Sequence, residues 1–169
     1  MFGGFPGSLV PIVREGDAAP GTSGAVFSGD RITSTQFTAI NRNGTVLFQS
    51  NLAGGDVVVG TNDQGLFSGT AGALFMVLRK GDTVLPGPVT ASSFPGQLLM
   101  NSSGQVLYNL TLAGTGVTAA NNGSLAIYTP GAGNAILIKY APELDYIRTA
   151  RLLDRSSVES RNAPPAFVH

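Results

Sequence analysis

The stretch of sequence that decides the fold is residues 41–48, NRNGTVLF, where an Asn-x-x-Gly turn leads directly into an apolar run. An Asn in this position accepts hydrogen bonds from the backbone that follows it, and Gly44 tolerates the positive φ of a tight turn. Residues 45–52 then alternate apolar and polar side chains, which predicts a β-strand with one buried face. The arrangement returns as NSSGQVLY at 101–108, followed by a matching strand over 105–112.

Two further landmarks repeat in the same order. Residues 9–17, LVPIVREGD, match residues 74–82, LFMVLRKGD, and a degenerate third copy, ILIKY, stands at 136–140. Residues 62–67, NDQGLF, match residues 121–126, NNGSLA. Since all three landmarks recur at a nearly constant spacing of about 60 residues, the sequence indicates an internal duplication.

The predicted fold class is all-β, built from tandem four-stranded repeats that resemble propeller blades in size; a β-solenoid or a sandwich is the alternative. The nearly continuous apolar runs at 74–78 and 135–138 predict inner strands buried on both faces. The first repeat is expected to contain strands at 35–40, 46–52, 65–68 and 73–79.

The predicted domain organisation is a β-repeat domain over 1–140 and a charged C-terminal tail over 141–169. The tail spaces Leu144, Ile147, Ala150 and Leu153 by three residues, which favours a short amphipathic helix, and an extended tail follows. It is expected either to cap the β array or to act as an arm on a neighbouring subunit. The β-repeat domain divides into a leading strand at 8–13, repeat one at 14–78 and repeat two at 79–140.

Composition excludes several classes of protein. Ten basic and ten acidic residues leave no net charge, so nucleic acid is not an expected partner. No apolar run is long enough to predict membrane insertion. The chain has no cysteine, and its one histidine is His169 at the final position, which disfavours disulfides, thiolate metal sites and His-dependent catalysis. The sequence therefore predicts a protein that is not an enzyme and assigns no catalytic residue, cofactor or metal ligand.

One pair of acidic residues recurs with the repeat. Asp17 and Asp82 each stand three residues after an arginine, Arg14 or Arg79. They are either ligand-binding carboxylates, one per repeat, or turn residues that accept hydrogen bonds from backbone amides or from the nearby arginine. We favour the turn interpretation because the pattern recurs with the repeat.

A second candidate is the oxygen-rich loop that contains Asp56, Asn62 and Asp63, a composition typical of calcium sites. The corresponding loop of the second repeat, 116–122, contains no acidic residue, so a solvated loop is the favoured interpretation.

Four Asn-x-Ser/Thr sequons occur, and turn chemistry accounts for those that overlap the repeated Asn-Gly turns. They lie at Asn43, Asn101, Asn109 and Asn122. Eight aromatic residues at predicted strand positions are expected in the core: Phe27, Phe37, Phe48, Phe67, Phe75, Phe94, Tyr108 and Tyr128.

The Asn41-x-x-Gly44 and Asn101-x-x-Gly104 motifs, each followed by an aromatic residue after Leu, resemble the bacterial NxxGxxAF tandem-repeat family over about residues 8–140. This chain has Leu where the family motif has Ala, and it has two full copies. The resemblance implies an exported protein, often one with a C-terminal surface anchor. No export signal or anchor is recognisable in the sequence, so we expect an extracellular or cell-surface location on the resemblance alone.

Two repeats are fewer than a repeat array normally needs to bury its apolar faces. The spare strand at 8–13 is expected to complete a sheet either in its own chain or in another molecule. We therefore expect a structural protein that associates with itself into a ring or a filament. The alternative is a carbohydrate-binding propeller assembled from two-blade subunits, with glycans as partners, although the chain lacks the Trp that such sites usually use.

Overall fold

The computed structural model describes residues 1–5, 7–29 and 38–139, and every regular element within them is a β-strand. The strands are β1 (Phe2–Phe5), β2 (Ser8–Pro11), β3 (Val26–Ser28), β4 (Thr38–Ile40), β5 (Val46–Ala53), β6 (Gln64–Thr70), β7 (Ala73–Arg79), β8 (Thr83–Leu85), β9 (Val89–Ser93), β10 (Leu98–Met100), β11 (Val106–Gly114), β12 (Gly123–Thr129) and β13 (Gly133–Lys139). All pairs are antiparallel, which confirms the all-β class. The predicted C-terminal helix or arm at 141–169 lies outside the described residues.

Two larger sheets follow one pairing pattern. In the first sheet, the order is β3-β5-β6-β7, and β4 shares with β3 the same edge of β5. In the second sheet, β9 and β10 share one edge of β11 in the same way, β12 and β13 follow, and β8 extends the sheet beyond β9. A register shift falls at Leu66/Phe67 in β6 and at Leu125/Ala126 in β12. Each sheet therefore has five strands in corresponding places where four were predicted, and β8 is a sixth in the second sheet.

The first sheet is buried on both faces. Successive side chains of a strand point to opposite faces, so Leu47 and Phe48 belong to different apolar clusters. Leu47 packs with the second sheet, whose contribution includes Tyr108 and Leu110. Phe48 packs on the other side with the N-terminal segment, including Val13. The chain is thus a stack with the first sheet in its middle.

The predicted aromatic core is confirmed for five residues, while others lie elsewhere. Phe27 and Phe67 meet edge to face with ring centroids 4.8 Å apart. Phe75 pairs with Tyr128 at 5.7 Å but stays 37% exposed at the margin. Phe37 is outside the described residues. The five buried aromatic residues are Phe27, Phe48, Phe67, Phe94 and Tyr108.

The prediction that residues 74–78 and 135–138 form inner strands was wrong. They lie in β7 and β13, which end their sheets in the strand order. In β7 the apolar run reflects two covered faces, since Leu74 and Met76 pack towards the N-terminal segment while Val77 packs against the second sheet. In β13 the run includes Leu137, which is 44% exposed, so a continuous apolar run by itself indicates neither pairing at both edges nor burial on both faces.

The leading strand also differs from its prediction. Residues 8–11 form β2, which pairs with β1 in a separate two-stranded sheet and does not complete either larger sheet. The register of this N-terminal hairpin matches that of β6 and β7: Phe2 lies opposite Pro11 as Phe67 lies opposite Met76. β1 was not predicted, because two of its four residues are Gly, which weakens a strand pattern.

Replacing Phe67 by Ala is expected to destabilise the protein by about 3–5 kcal/mol, since the ring is fully buried between Phe27 and Phe48. Urea unfolding followed by far-ultraviolet circular dichroism measures the change. Val59, which is 86% exposed, offers the control, and its replacement by Ala should cost less than about 0.5 kcal/mol. Equal effects of the two substitutions would contradict the described packing.

Candidate functional site

The repeated aspartates close two equivalent turns. The Oδ2 atom of Asp17 accepts a hydrogen bond from the backbone N–H of Arg14 at 2.8 Å, and that of Asp82 accepts one from Arg79 at 2.8 Å. Each turn is also joined to a strand that follows it. The N–H of Gly16 donates to the carbonyl of Phe27, and the N–H of Gly81 donates to the carbonyl of Ala91. This confirms the turn interpretation, in which the carboxylates are used to hold the backbone.

A buried arginine holds the loop between β5 and β6. Arg79 is 6% exposed; its Nη1 and Nη2 atoms contact the two carboxylate oxygens of Asp56 at 2.7 and 3.2 Å. Its Nε donates to the carbonyl of Asn62 at 2.8 Å. Beside it, Lys80 Nζ lies 3.0 Å from Asp63 Oδ1. These pairs fasten the loop to the end of β7.

The loop is largely exposed, as the favoured interpretation expected, and its carboxylates Asp56 and Asp63 also pair with cations of the chain itself. In the described part of the chain, no group of three or more His, Cys, Asp or Glu side chains is placed to hold a metal ion. The second sheet has no corresponding acidic residue in its loop at 116–122, so the ion pairs belong to the first sheet only.

The ion pairs shift the titration of both carboxyl groups. The hydrogen bond from Arg79 lowers the pKa of Asp56 below its ordinary value. Burial by itself raises the pKa of Asp63, but the hydrogen bond from the Gly60 amide and the pair with Lys80 outweigh it, so that this pKa is also lowered. A carboxyl group whose pKa is lower in the folded state stabilises that state above its unfolded pKa, and the contribution is lost as the pH falls through the folded pKa.

Replacing Asp56 by Asn is expected to lower Tm by a few degrees at neutral pH, because the charge opposite buried Arg79 is lost. The difference from the wild type should disappear as the pH falls through the depressed pKa of Asp56, because the carboxyl group is then neutral in the folded wild type as well. Thermal melts across this acidic range measure it. The exposed Glu15 provides the control as Glu15→Gln, and a gap that persists at the lowest pH would argue against the ion pair.

The Asn-x-x-Gly turns of the two sheets are joined by side chains. Asn41 Oδ1 accepts hydrogen bonds from the amides of Asn43 and Thr45, both at 3.0 Å, as predicted for this turn. Its Nδ2 reaches across to the carbonyl of Asn101 at 3.2 Å, and Asn43 Nδ2 donates to Ser102 at 2.8 Å. The first turn is thus stacked on the second by two side-chain donors.

The second turn does not extend this ladder. Asn101 Nδ2 is bonded within the turn to Gln105 Oε1 at 2.8 Å, and Ser103 stands where the first turn has Asn43. The sequons at Asn43 and Asn101 therefore have their amide nitrogens engaged in turn contacts. Asn109 lies within β11, and Asn122 lies in the loop before β12.

Replacing Asn43 by Asp is expected to destabilise the protein by about 0.5–1.5 kcal/mol, because a donor 2.8 Å from the Ser102 carbonyl becomes an acceptor. Chemical denaturation at neutral pH measures the change. Asn122, which also precedes Gly, supplies the matched control: Asn122→Asp should change stability by less than about 0.5 kcal/mol. A cost that is the same at both positions would show that the inter-turn bond contributes nothing.

A second polar link joins the sheets at their outer strands. The Tyr108 hydroxyl donates to Asn134 Oδ1 at 2.8 Å, and Asn134 Nδ2 donates to the carbonyl of Val77 at 2.6 Å. Burial raises the pKa of Tyr108, so its hydroxyl stays protonated as a donor. The link connects β11, β13 and β7. The corresponding positions in the first sheet are Phe48 and Leu74, so no repeat pattern indicated it.

The N-terminal hairpin offers an edge that no described strand pairs. Its two-residue loop closes at Phe5 and Ser8, so the alternation of antiparallel pairs directs the backbone N–H and C=O of Gly4 and Phe2 away from β2. The pair of Phe2 with Pro11, which has no N–H, agrees with this alternation. Residues 1–13 include no charged side chain, and Phe2 is 59% exposed.

A cavity of about 270 Å³ lies between the segment that follows this hairpin and the first sheet. Ile12, Val13, Phe27 and Leu74 contribute to its lining, with Asp17 as the one titratable side chain. Since Asp17 is already bonded to the Arg14 amide, the cavity lacks a free acid, base or nucleophile. It has the character of a packing gap.

The described residues include no helix long and apolar enough to cross a membrane. Neither a curated protein nor a solved structure matches the chain. A family model, described as a family of unknown function, matches residues 2–156. The chain therefore belongs to this family, DUF7453.

Proposed function

We propose that this chain is a structural, self-associating β protein of the extracellular space or cell surface, which forms a ring or a filament by exchanging a strand or tail between copies. The observation that carries the proposal is the N-terminal hairpin, a two-stranded sheet whose β1 edge is unpaired among the described residues.

The hairpin corresponds to only the outer half of a larger sheet. Its register repeats that of β6 and β7 pair by pair, from Phe2 and Pro11 to Phe5 and Ser8. In the first sheet, β6 goes on to pair with β5 through its second edge. The second edge of β1 is the corresponding place, and a strand from another copy there would complete a third sheet. The shared pairing pattern supports reading the two larger sheets as propeller blades.

The chemistry of the edge supports this use. Natural proteins usually blunt an open edge with charged residues, Pro or a covering segment, because free N–H and C=O groups recruit other strands. Residues 1–13 carry no charged side chain, and Pro11 lies in β2 opposite Phe2, away from the open edge. The edge of β1 therefore suits strand addition.

The acidic groups of the described residues support a structural role. Asp17 and Asp82 hold turns, and Asp56 and Asp63 hold the β5–β6 loop through Arg79 and Lys80. The resemblance to exported NxxGxxAF repeat proteins supports the extracellular or surface location.

Replacing Gly4 by Pro is expected to weaken self-association about tenfold, because proline removes an N–H that points to the open edge and leaves the pairing with β2 intact. Sedimentation equilibrium over a wide concentration range measures the association. Gly4→Ala keeps the N–H and is the matched control.

A wild-type chain that stays monomeric at every concentration would contradict the proposal, as would equal association of both variants. Glycan binding remains a prediction from the sequence. A glycan array tests it, and specific binding by a strictly monomeric chain would replace self-association as the favoured function.

A further inference from the structure

We propose that the face of the second sheet turned away from the first sheet binds the N-terminal hairpin of another copy, with Leu137 of one copy against Leu9 of the next. This inference rests on the proposed self-association and adds to the strand addition at the β1 edge a second contact, between two sheet faces.

Corresponding positions already lie near each other in two places within the chain. Directly after the hairpin, Ile12 lines one cavity together with Leu74 of the first sheet. Where the first sheet meets the second, Asn134 donates to the carbonyl of Val77 at 2.6 Å. Ile12 and Val77 hold the same place in the matched segments 9–17 and 74–82. Each step thus places this position of one layer near the end strand of the next layer.

Strand registers show that Asn134, the partner of Val77, corresponds to Leu74, the partner of Ile12. Leu74 lies opposite Gly69 in the pair of β6 and β7, and Asn134 lies opposite Tyr128 at the corresponding place of β12 and β13. The pair Ile12 and Leu74 and the pair Val77 and Asn134 are therefore formed by corresponding positions.

The residues for a third step are present, and both are exposed. Leu137 follows Ile136 in β13 as Val77 follows Met76 in β7, and Leu9 lies opposite Gly4 as Leu74 lies opposite Gly69. Val77 is 5% exposed, whereas Leu137 is 44% and Leu9 is 64% exposed. The series Ile12 with Leu74 and Val77 with Asn134 continues with Leu137 and Leu9 when the last pair joins two copies.

Exposed apolar side chains lie at the margins of the outer face. The centre of this face, at Leu107 and Leu125, is nearly buried, whereas Leu99 on β10 is 40% exposed and Leu137 on β13 is 44% exposed. The hairpin is two strands wide and corresponds to the outer strands of a sheet, so the proposed contact uses the margin at β13. Phe2, 59% exposed, adds to the apolar surface of the hairpin.

The contact joins two different surfaces, so it is head to tail. Repetition of a head-to-tail contact closes into a ring or continues as a filament, depending on the rotation between copies. A head-to-tail contact agrees with the proposed ring or filament. The geometry of these two faces would set the rotation between neighbouring copies.

Cysteine cross-linking tests the pair cleanly, since the chain has no cysteine. Leu9→Cys and Leu137→Cys are prepared as separate single variants, mixed in equal amounts and oxidised, so that every disulfide formed joins two copies. We expect the disulfide between position 9 of one copy and position 137 of another, identified by peptide mass spectrometry, in large excess over the two symmetric dimers. Val59→Cys, at a loop tip that is 86% exposed, replaces Leu137→Cys in the control mixture.

A yield of this mixed disulfide no higher than that with the Val59 variant would overturn the inference. If the wild type still associates in that case, the proposed function stands and only the surfaces are wrong; if the wild type is monomeric, both fail. Leu137→Asp should also weaken association about tenfold, and Leu9→Lys in the same chain should restore most of it. Absence of any restoration, with both variants folded, would likewise argue against the pair.

Discussion

The structure depends on the burial of the first sheet from both sides. Alternate side chains of β5 point to two apolar clusters, so that Leu47 faces the second sheet while Phe48 faces the N-terminal segment. Each fully buried large side chain contributes about 1.5–3 kcal/mol by its removal from water. The N-terminal segment that contributes Val13, Ala19 and Ala25 and the second sheet are therefore both needed to complete the core, although they lie far apart in the sequence.

Apolar burial has no direction, so it does not by itself set how the sheets are aligned. Two polar links between the sheets set the alignment. The Asn41 and Asn43 amides join the two turns at one end of the stack, and Asn134 ties β13 to β7 through the Val77 carbonyl. Within the first sheet, Arg79 at the end of β7 holds the β5–β6 loop by its ion pair with Asp56. Polar links at defined points thus fix how the apolar faces of the two sheets are aligned.

Sequence patterns located the features that recur within the chain. The Asn-x-x-Gly turns, the strands that follow them and the aspartate turns at Asp17 and Asp82 were placed correctly, because each is encoded by residues close together in the chain. No bounds were predicted for the short strands β3, β8 and β9, although Phe27 of β3 was expected at a strand position, since three to five residues give too little periodicity. The hairpin strand β1 was missed as well, and β2 was expected to pair elsewhere.

The contacts of the candidate site were likewise only partly predictable from the sequence. No local pattern indicated that Arg79 pairs with Asp56 across the loop, or that Asn134 and Tyr108 act together, because these partners lie 23 and 26 positions apart. The sequence by itself determined the all-β class, the repeated turns and the absence of cysteine. Only the tertiary structure decided which apolar faces are covered, which strands end a sheet and which edge is left open. Those properties arise from contacts between distant segments, and local spacing does not encode them.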